Sequence, residues 1–335
     1  MRIERTDKPA AARRALLILH PADIGVLALL VVACLVAILG RGSAEQRRLL
    51  VVHVVLLAGY GGFTVAATVM SRRTWVSIVR PFAAMGVIFT LYATMSRLGM
   101  VAIPWRSDPV LSRVDQWLFG GTNPSFFIQR WQTRGRVEFF AFFYALFIPY
   151  VNFSLLVGSL GRPPLERDQF LIGWVFVYCI SLAGCLLLPG VGPGGYFAAA
   201  YAVPLTGGFF YHLTLIGVAQ TGGLMGIFPS LHVGSSAYLC LFDLRTHRLR
   251  GLTYLPAVLM IYGATIFLRY HYVTDVLAGT VVAVGCNFLG SWACLKWARA
   301  RQRAGLPALP GGEQDALPGV PIAGGDRAAA VLSAN

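Results

Sequence analysis

The stretch IFLRYHYVTDVLAG, residues 266–279, joins two long apolar runs, residues 251–268 and 273–297. Runs of this length match the roughly 20 residues that a helix needs to span the hydrocarbon core of a bilayer. Ionisable groups at membrane depth are costly and are therefore functional candidates by default. Arg269, His271 and Asp275 are the first candidates for a functional site.

The composition of the whole chain is that of a membrane protein. Of its 335 residues, 56% are hydrophobic and 13% are charged, against about 25% charged in an ordinary globular domain. A net charge of +14 would suggest a nucleic-acid partner for a soluble protein. Here the arginines lie between apolar runs, where membrane topology and anionic headgroups explain them better. We therefore expect the lipid bilayer, and no nucleic acid, as a partner.

Eight apolar runs predict transmembrane helices. Only helices and closed barrels satisfy their backbone groups in lipid, so the fold class predicted is an all-α polytopic membrane protein. Residues 1–98 are expected to hold the N-terminal transmembrane helices, 99–298 the membrane domain with the candidate site, and 299–335 a disordered cytoplasmic tail. The predicted spans are residues 22–40, 49–70, 78–98, 137–160, 169–189, 229–244, 251–268 and 273–297.

The distribution of basic residues predicts the orientation. Arginine and lysine are more numerous in the loops on the N-terminal side of the membrane, which places both termini in the cytoplasm. The protein is then a multi-pass protein of the cell membrane, with His271 on the extracytoplasmic side. The loop of residues 190–228 on that side contains no Asp, Glu, Lys or Arg. We expect it to dip into the membrane surface and cover a substrate.

A second motif, GIFPSLHVG at residues 226–234, opens the sixth predicted span. The free N–H groups of a helix N-terminus favour an anion, phosphate above all. The sixth and seventh spans are consecutive and hence antiparallel, so His232 is predicted on the same side as His271 and Asp275. Two histidines and a carboxylate suit phosphoryl transfer, in which one imidazole attacks phosphorus, the carboxylate orients it and the other imidazole moves protons.

These two motifs also carry a family resemblance. FPSLH (228–232) and HYVTDVLAG (271–279) resemble the second and third motifs of the type-2 phosphatidic acid phosphatase superfamily, and the resemblance covers roughly residues 110–295. It implies a helical-bundle, phosphatase-like core within residues 99–298. It also implies catalysis by His271 as nucleophile, Asp275 as its orienting group and His232 as acid–base, with no metal and no cofactor.

Two segments are more similar to one branch of that superfamily, the inositol phosphorylceramide synthases. These segments are PSLH (229–232) and DQWLFGGTNP (115–124). Members of this branch move a phosphoryl headgroup between lipids. The first superfamily motif has one formal match, from Arg73 to Pro81, on the predicted cytoplasmic face. Phosphate binding is therefore predicted at Ser230, Arg269 and Arg113 instead. The substrate implied is a phospholipid or polyprenyl phosphate, with a polyol or a lipid as possible acceptor.

Other functions remain open at this point. A polyprenyl or phosphatidate phosphatase of the same superfamily is the nearest alternative. Two histidines and a carboxylate are also a metal-ligand set, which would make the protein a membrane metalloenzyme. A His/Asp proton-coupled transporter would need its ionisable residues near mid-membrane in broken helices. Here those residues lie at predicted span ends, which favours an enzyme.

Overall fold

A computed structural model of the chain describes residues 17–40, 42–70, 74–220 and 225–309. These residues form helices joined by loops, with no β-strand in the described ranges, so the predicted all-α class is confirmed. Short 3₁₀ turns at Gln129–Trp131 and Ala198–Ala200 supplement the helices. In chain order the helices are α1 Pro21–Leu39, α2 Ala44–Val69, α3 Thr74–Ala102, α4 Asp108–Leu118, α5 Pro124–Ile128, α6 Arg134–Leu160, α7 Pro164–Leu187, α8 Gly192–Tyr196, α9 Phe209–Gln220, α10 Leu231–Thr246, α11 Arg248–Phe267 and α12 Val273–Arg303.

Within the described ranges, 7 helical segments are long and apolar enough to cross a membrane. They belong to α1, α2, α3, α6, α7, α11 and α12, and correspond to seven of the eight predicted spans. The eighth prediction, residues 229–244, corresponds to α10, which has only 16 residues. This helix accommodates Ser235, Ser236 and Asp243 because it is buried against α7, α11 and α12 and so has little contact with lipid.

Close backbone approaches hold α7, α10 and α12 together. A Cβ added at Gly290 of α12 would lie 2.4 Å from the Cα of Gly173 in α7. A Cβ at Gly279 would lie 2.6 Å from the carbonyl oxygen of Ser230, at the start of α10. Small residues at such crossings let membrane helices pack backbone to backbone. The second crossing sets the distance between the first turns of α10 and α12.

A buried polar cluster joins the first three helices. The Arg80 guanidinium lies 3.2 Å from the Asp23 carboxylate, which also accepts a 2.8 Å hydrogen bond from the Tyr60 hydroxyl. Arg80 belongs to the formal match to the first superfamily motif, and this pairing gives it a structural role between α1 and α3. Arg73, the other end of that match, lies outside the described residues.

The C-terminal end of α12 corrects the predicted tail. The helix continues to Arg303, past the predicted boundary at residue 298. The Arg301 guanidinium donates 2.8 Å hydrogen bonds to the carbonyls of Leu17 and Pro307, and Leu309 is buried. Residues 299–303 therefore continue α12, and residues 304–309 pack back on the bundle, because Ala308 and Leu309 find an apolar partner surface there. The rest of the predicted tail, residues 310–335, lies outside the described residues.

Candidate active site

The turn between α11 and α12 positions the first histidine of the site. The backbone N–H of His271 donates to the Thr265 carbonyl at 3.1 Å. Its Nδ1 lies 3.4 Å from Oδ2 of Asp275, whose side chain has no exposed surface. The same Oδ2 accepts a 2.9 Å hydrogen bond from the Tyr272 backbone N–H. A carboxylate in this position favours the imidazole with its proton on Nδ1, which leaves Nε2 free to attack an electrophile.

The N-terminus of α10 positions the second histidine. Ser230 caps this helix, with its hydroxyl accepting a 3.4 Å hydrogen bond from the Val233 N–H. The Ser230 N–H in turn donates to the Asp275 carbonyl at 3.1 Å. This bond ties the start of α10 to the first turn of α12. His232 follows as the second residue of α10.

The two imidazoles lie close together at one end of the helical bundle. Their ring centres are 6.1 Å apart, with the planes inclined at 59°. Only 6% of His271 and 7% of His232 is exposed. The structure thus brings together the three residues predicted as catalytic, His271, His232 and Asp275. Rings at this separation can contact the same phosphoryl group from two sides.

Aromatic side chains enclose His232. Tyr144 of α6 stacks on its ring at 4.3 Å between centres and an angle of 25°. The ring centre of Phe147 lies 4.4 Å away, and Tyr92 of α3 approaches edge-on at 6.5 Å. The Tyr144 hydroxyl lies 3.5 Å from Nδ1 of the histidine, at the limit of a hydrogen bond. These contacts fix the plane of the ring and leave Nε2 as the nitrogen for proton transfer.

A largely apolar cavity of about 680 Å³ opens beside His232. α3, α6 and α9 form most of its wall, and α9 is part of the uncharged loop of residues 190–228. The N-terminus of α9 is fixed on α6, where the Glu138 carboxylate accepts hydrogen bonds from the N–H groups of Gly208, Phe210 and Tyr211 at 2.7–3.1 Å. The loop therefore borders a cavity next to the candidate site, and its role as a substrate cover stays a prediction.

Arg269 is a buried cation without a carboxylate partner. Only 5% of it is exposed, and no acidic side chain pairs with it in the described part of the chain. One Nη donates to the Val203 carbonyl at 2.7 Å and to the Gln132 side chain, while the guanidinium lies 3.7 Å from the ring centre of Tyr201. The backbone adopts φ 63°, which is uncommon for a residue with a side chain. Burial lowers the pKa of Arg269, since its charge is only partly compensated.

The other two predicted phosphate ligands have different surroundings. Ser230 is fully buried, and its hydroxyl serves the helix cap described above. Arg113 is exposed on α4, where its Nε donates to the Pro109 carbonyl at 3.1 Å. No contact in the described residues joins Arg113 to either site histidine. Substrate contact by these two residues stays a prediction.

Sequence reasoning missed three residues near the site. Asp108 and Asp115 of α4 reach the turn that carries His271, and Tyr144 stacks on His232. The signal available was the spacing of the two aspartates, because residues seven apart lie on one face of a helix. Tyr144 lies within an aromatic run, FFAFFYALF (139–147), that gave no such signal.

No group of three or more His, Cys, Asp or Glu side chains in the described ranges is arranged to hold a metal ion. In the site, Nδ1 of His271 and Oδ2 of Asp275 face each other instead of converging with His232 on a common point. The metalloenzyme alternative therefore has no supporting geometry among these residues. Activity without metal stays a prediction.

Comparisons with known proteins agree with this architecture. A PA-phosphatase related-family protein of Dictyostelium discoideum is 27% identical over 164 residues, which cover 43% of this chain and 28% of that protein. The chain thus matches little more than a quarter of the relative's length. No solved structure matches the chain. The model of the PAP2 superfamily matches residues 110–289, which include most of α4, both histidine motifs and the first half of α12. The chain therefore belongs to the PAP2 superfamily.

Proposed function

We propose that the protein is a metal-independent membrane lipid phosphotransferase or phosphatase. His271 is the nucleophile, Asp275 orients it, and His232 is the acid–base. The observation that carries this proposal is the pairing of His271 with the fully buried carboxylate of Asp275. The centre of the His271 ring lies 6.1 Å from that of His232, which lines an apolar cavity. Paired titratable groups in distinct environments, next to a cavity, are the usual mark of an active site.

The reaction has two steps. First, Nε2 of neutral His271 attacks phosphorus, and the N–P bond forms as the P–O bond to the lipid alcohol breaks. Protonated His232 gives its proton to the leaving oxygen, and Asp275 stabilises the charge on His271. Second, neutral His232 takes a proton from water or from an acceptor hydroxyl, whose oxygen attacks phosphorus. The N–P bond then breaks, and its electron pair returns to Nε2 of His271.

The surroundings of the histidines support a lipid phosphate as the substrate. The apolar cavity beside His232 suits a hydrocarbon chain. A buried guanidinium without a carboxylate partner is costly, and a phosphate within reach would compensate it. Arg269 is therefore our first candidate for phosphate binding, with Ser230 and Arg113 as further candidates. A phospholipid and a polyprenyl phosphate both satisfy these requirements.

Transfer to an alcohol is our preferred reaction, as in the inositol phosphorylceramide synthase-like branch. Both imidazoles are more than nine-tenths buried, and a site that excludes water protects a covalent intermediate from hydrolysis. The acceptor is then a polyol or a second lipid. Hydrolysis by the same machinery, as a polyprenyl or phosphatidate phosphatase, is the alternative. A proton-coupled transporter is less well supported, because the histidines lie at helix ends and not in a broken helix at mid-bundle.

Incubation of the purified chain with phospholipids labelled in the phosphoryl group, with and without a panel of polyols, tests this function. We expect a new labelled lipid or labelled polyol phosphate in the transferase case, and free phosphate or headgroup phosphate in the hydrolase case. A chelator should leave turnover within about twofold, because imidazoles do the covalent work. Loss of activity on chelation and its return with zinc or manganese would support the metalloenzyme instead. No labelled product from phospholipids or polyprenyl phosphate would contradict the proposal.

The proposed orientation predicts which positions react with a reagent outside the cell. Tyr196, in α8, and Arg248, the first residue of α11, are both exposed and lie on opposite sides of the membrane in this scheme. On a cysteine-free background, a cysteine at position 196 should react with an impermeant maleimide in intact cells. A cysteine at position 248 should react only after permeabilisation. The reverse pattern would place the active site in the cytoplasm.

A further inference from the structure

α4 presents a buried face of unusual composition to the site. Asp108, Leu111, Ser112 and Asp115 are each at most 5% exposed, whereas Arg113 and Trp117 on the other side of the helix are exposed. Buried carboxylates require hydrogen bonds or ion pairs to offset their desolvation. No cation pairs with Asp108 or Asp115 in the described residues. Their partners are instead groups of the catalytic turn and its neighbours.

Asp115 binds the N-terminus of α12. One oxygen accepts hydrogen bonds from the Thr274 N–H at 2.9 Å and the Thr274 hydroxyl at 2.6 Å. The other oxygen accepts the Val273 N–H at 2.9 Å. These N–H groups belong to the first turn of the helix, which has no partners of its own for them.

Asp108 binds the same turn from one side. Its Oδ1 lies 3.2 Å from the Tyr272 hydroxyl, which is the donor, and accepts the Gly192 N–H at 2.9 Å. Its Oδ2 accepts the Val191 N–H at 3.0 Å. Leu111, between the two aspartates, packs in one apolar cluster with Tyr272. α4 thus holds both the side chain of residue 272 and the backbone of residues 273–274.

The residues that α4 contacts, 272–274, lie between His271 and Asp275. The N–H of Tyr272 is bound by Asp275 itself, and the next two N–H groups are bound by Asp115. Without Asp115 the free N–H groups would attract another anion, such as the Asp275 carboxylate or the substrate phosphate. Asp115 therefore leaves Asp275 directed at the imidazole and keeps phosphate away from a non-productive position.

We propose that Asp115 is a positioning residue for the His271–Asp275 pair, with Asp108 as its second support. The proposal rests on the proposed function, because it assigns the two carboxylates to the orientation of the nucleophile. Neither aspartate touches the phosphoryl group. Their contribution is to kcat, since misplacement of a reacting group by about 1 Å costs on the order of 10²-fold.

The test compares Asp115→Asn, Asp115→Ala and Thr274→Val in the full-length chain, with dioctanoyl phosphatidate as substrate. Asparagine keeps an accepting oxygen but turns an N–H₂ towards a backbone N–H. Thr274→Val removes only one of the three hydrogen bonds. We expect kcat to fall by about 5-fold in Thr274→Val, on the order of 10²-fold in Asp115→Asn and further in Asp115→Ala, with KM within about threefold.

Asp168→Asn is the matched control. Asp168 is also a buried carboxylate, beside His20 at 3.6 Å, but α7 begins there, at the far end of the bundle from His271. This control should keep the parent kcat. Activity is expressed per folded protein, with the folded fraction of each variant measured by thermal unfolding. Thr274→Val keeps the test valid if the Asp115 variants fail to fold. A parent-like kcat in Asp115→Asn and Thr274→Val, or an equal loss in Asp168→Asn, overturns the proposal.

Substrate chemistry separates positioning from proton transfer. Para-nitrophenyl phosphate has an acidic leaving group and needs no proton from His232. A misaligned nucleophile stays slow with it, so Asp115→Asn should show the same relative loss on both substrates. Recovery of parent rates with the aryl substrate would overturn the positioning role. His271→Ala is assayed alongside: its full activity would contradict the proposed function, whereas an inactive His271→Ala beside an unaffected Asp115→Asn would contradict only the present inference.

Discussion

His271→Ala is expected to lower phosphoryl turnover by about 10³-fold or more, as for other groups that act directly on the reacting atoms. The alanine removes the only atom that forms the covalent bond in the proposed mechanism. It also removes the imidazole partner of the Asp275 carboxylate and leaves only the Tyr272 backbone N–H, so some loss of stability will accompany it. Turnover of labelled phosphatidate per folded chain is the measurement.

Two further variants make this result interpretable. His271→Asn keeps an amide donor near the carboxylate and should fold like the parent while remaining inactive. His247→Ala removes a histidine near the far end of α10, where it lies 3.3 Å from Glu166, and should stay within about twofold of the parent. A His271→Asn variant with more than about a tenth of the parent activity would exclude His271 as the nucleophile.

The second large effect distinguishes the roles of the two histidines. With a natural lipid, His232→Ala should be nearly inactive, because the leaving alcohol needs a proton. An aryl phosphate or phosphodiester supplies a leaving group that needs none, so His271 can still be phosphorylated. Discharge of the intermediate still needs His232 as base. We therefore expect label from the phosphoryl group to accumulate on the protein.

The nature of the trapped label decides the assignment. It should be acid-labile and stable to alkali, as expected for a phosphoramidate, and should map to the peptide that contains His271. His271→Ala should trap nothing. Label on His232 in His271→Ala would reverse the two roles and leave the enzyme class intact. No label in either variant, with no burst in the parent, would indicate direct attack of the acceptor on phosphorus.

The sequence predicted the features that depend on hydropathy and chain order. Seven spans follow from apolar length, and the approach of His232 to His271 follows from two consecutive antiparallel helices joined by a short turn. α10 does not meet the length and composition expected of a span, because such criteria assume contact with lipid and this helix is covered by protein. The boundary at residue 298 was wrong for a similar reason, since Arg301 and Leu309 find partners on the bundle.

The missed residues depend on contacts between distant parts of the chain. Asp115 is 158 residues from Val273, and Tyr144 is 88 residues from His232. Neither contact can be predicted from the neighbouring sequence. An aspartate on a short helix is ordinarily solvated, and a tyrosine in an aromatic run ordinarily packs against other apolar side chains. The lack of a carboxylate partner for Arg269 among the described residues could not be predicted either, since it depends on where Gln132 and Tyr201 lie in the fold.

The position of α9 has a consequence for kinetic measurements. Its exposed side chains include Phe209 and Leu215, and Leu213, Thr214 and Ile216 border the cavity beside His232. Apolar groups on this surface belong in lipid, so a substrate that reaches the cavity past α9 arrives by lateral diffusion within the leaflet. The relevant concentration is then the mole fraction of substrate in the bilayer or micelle. A KM expressed per volume of buffer will change with the amount of detergent, whereas a KM expressed as a surface mole fraction will stay constant.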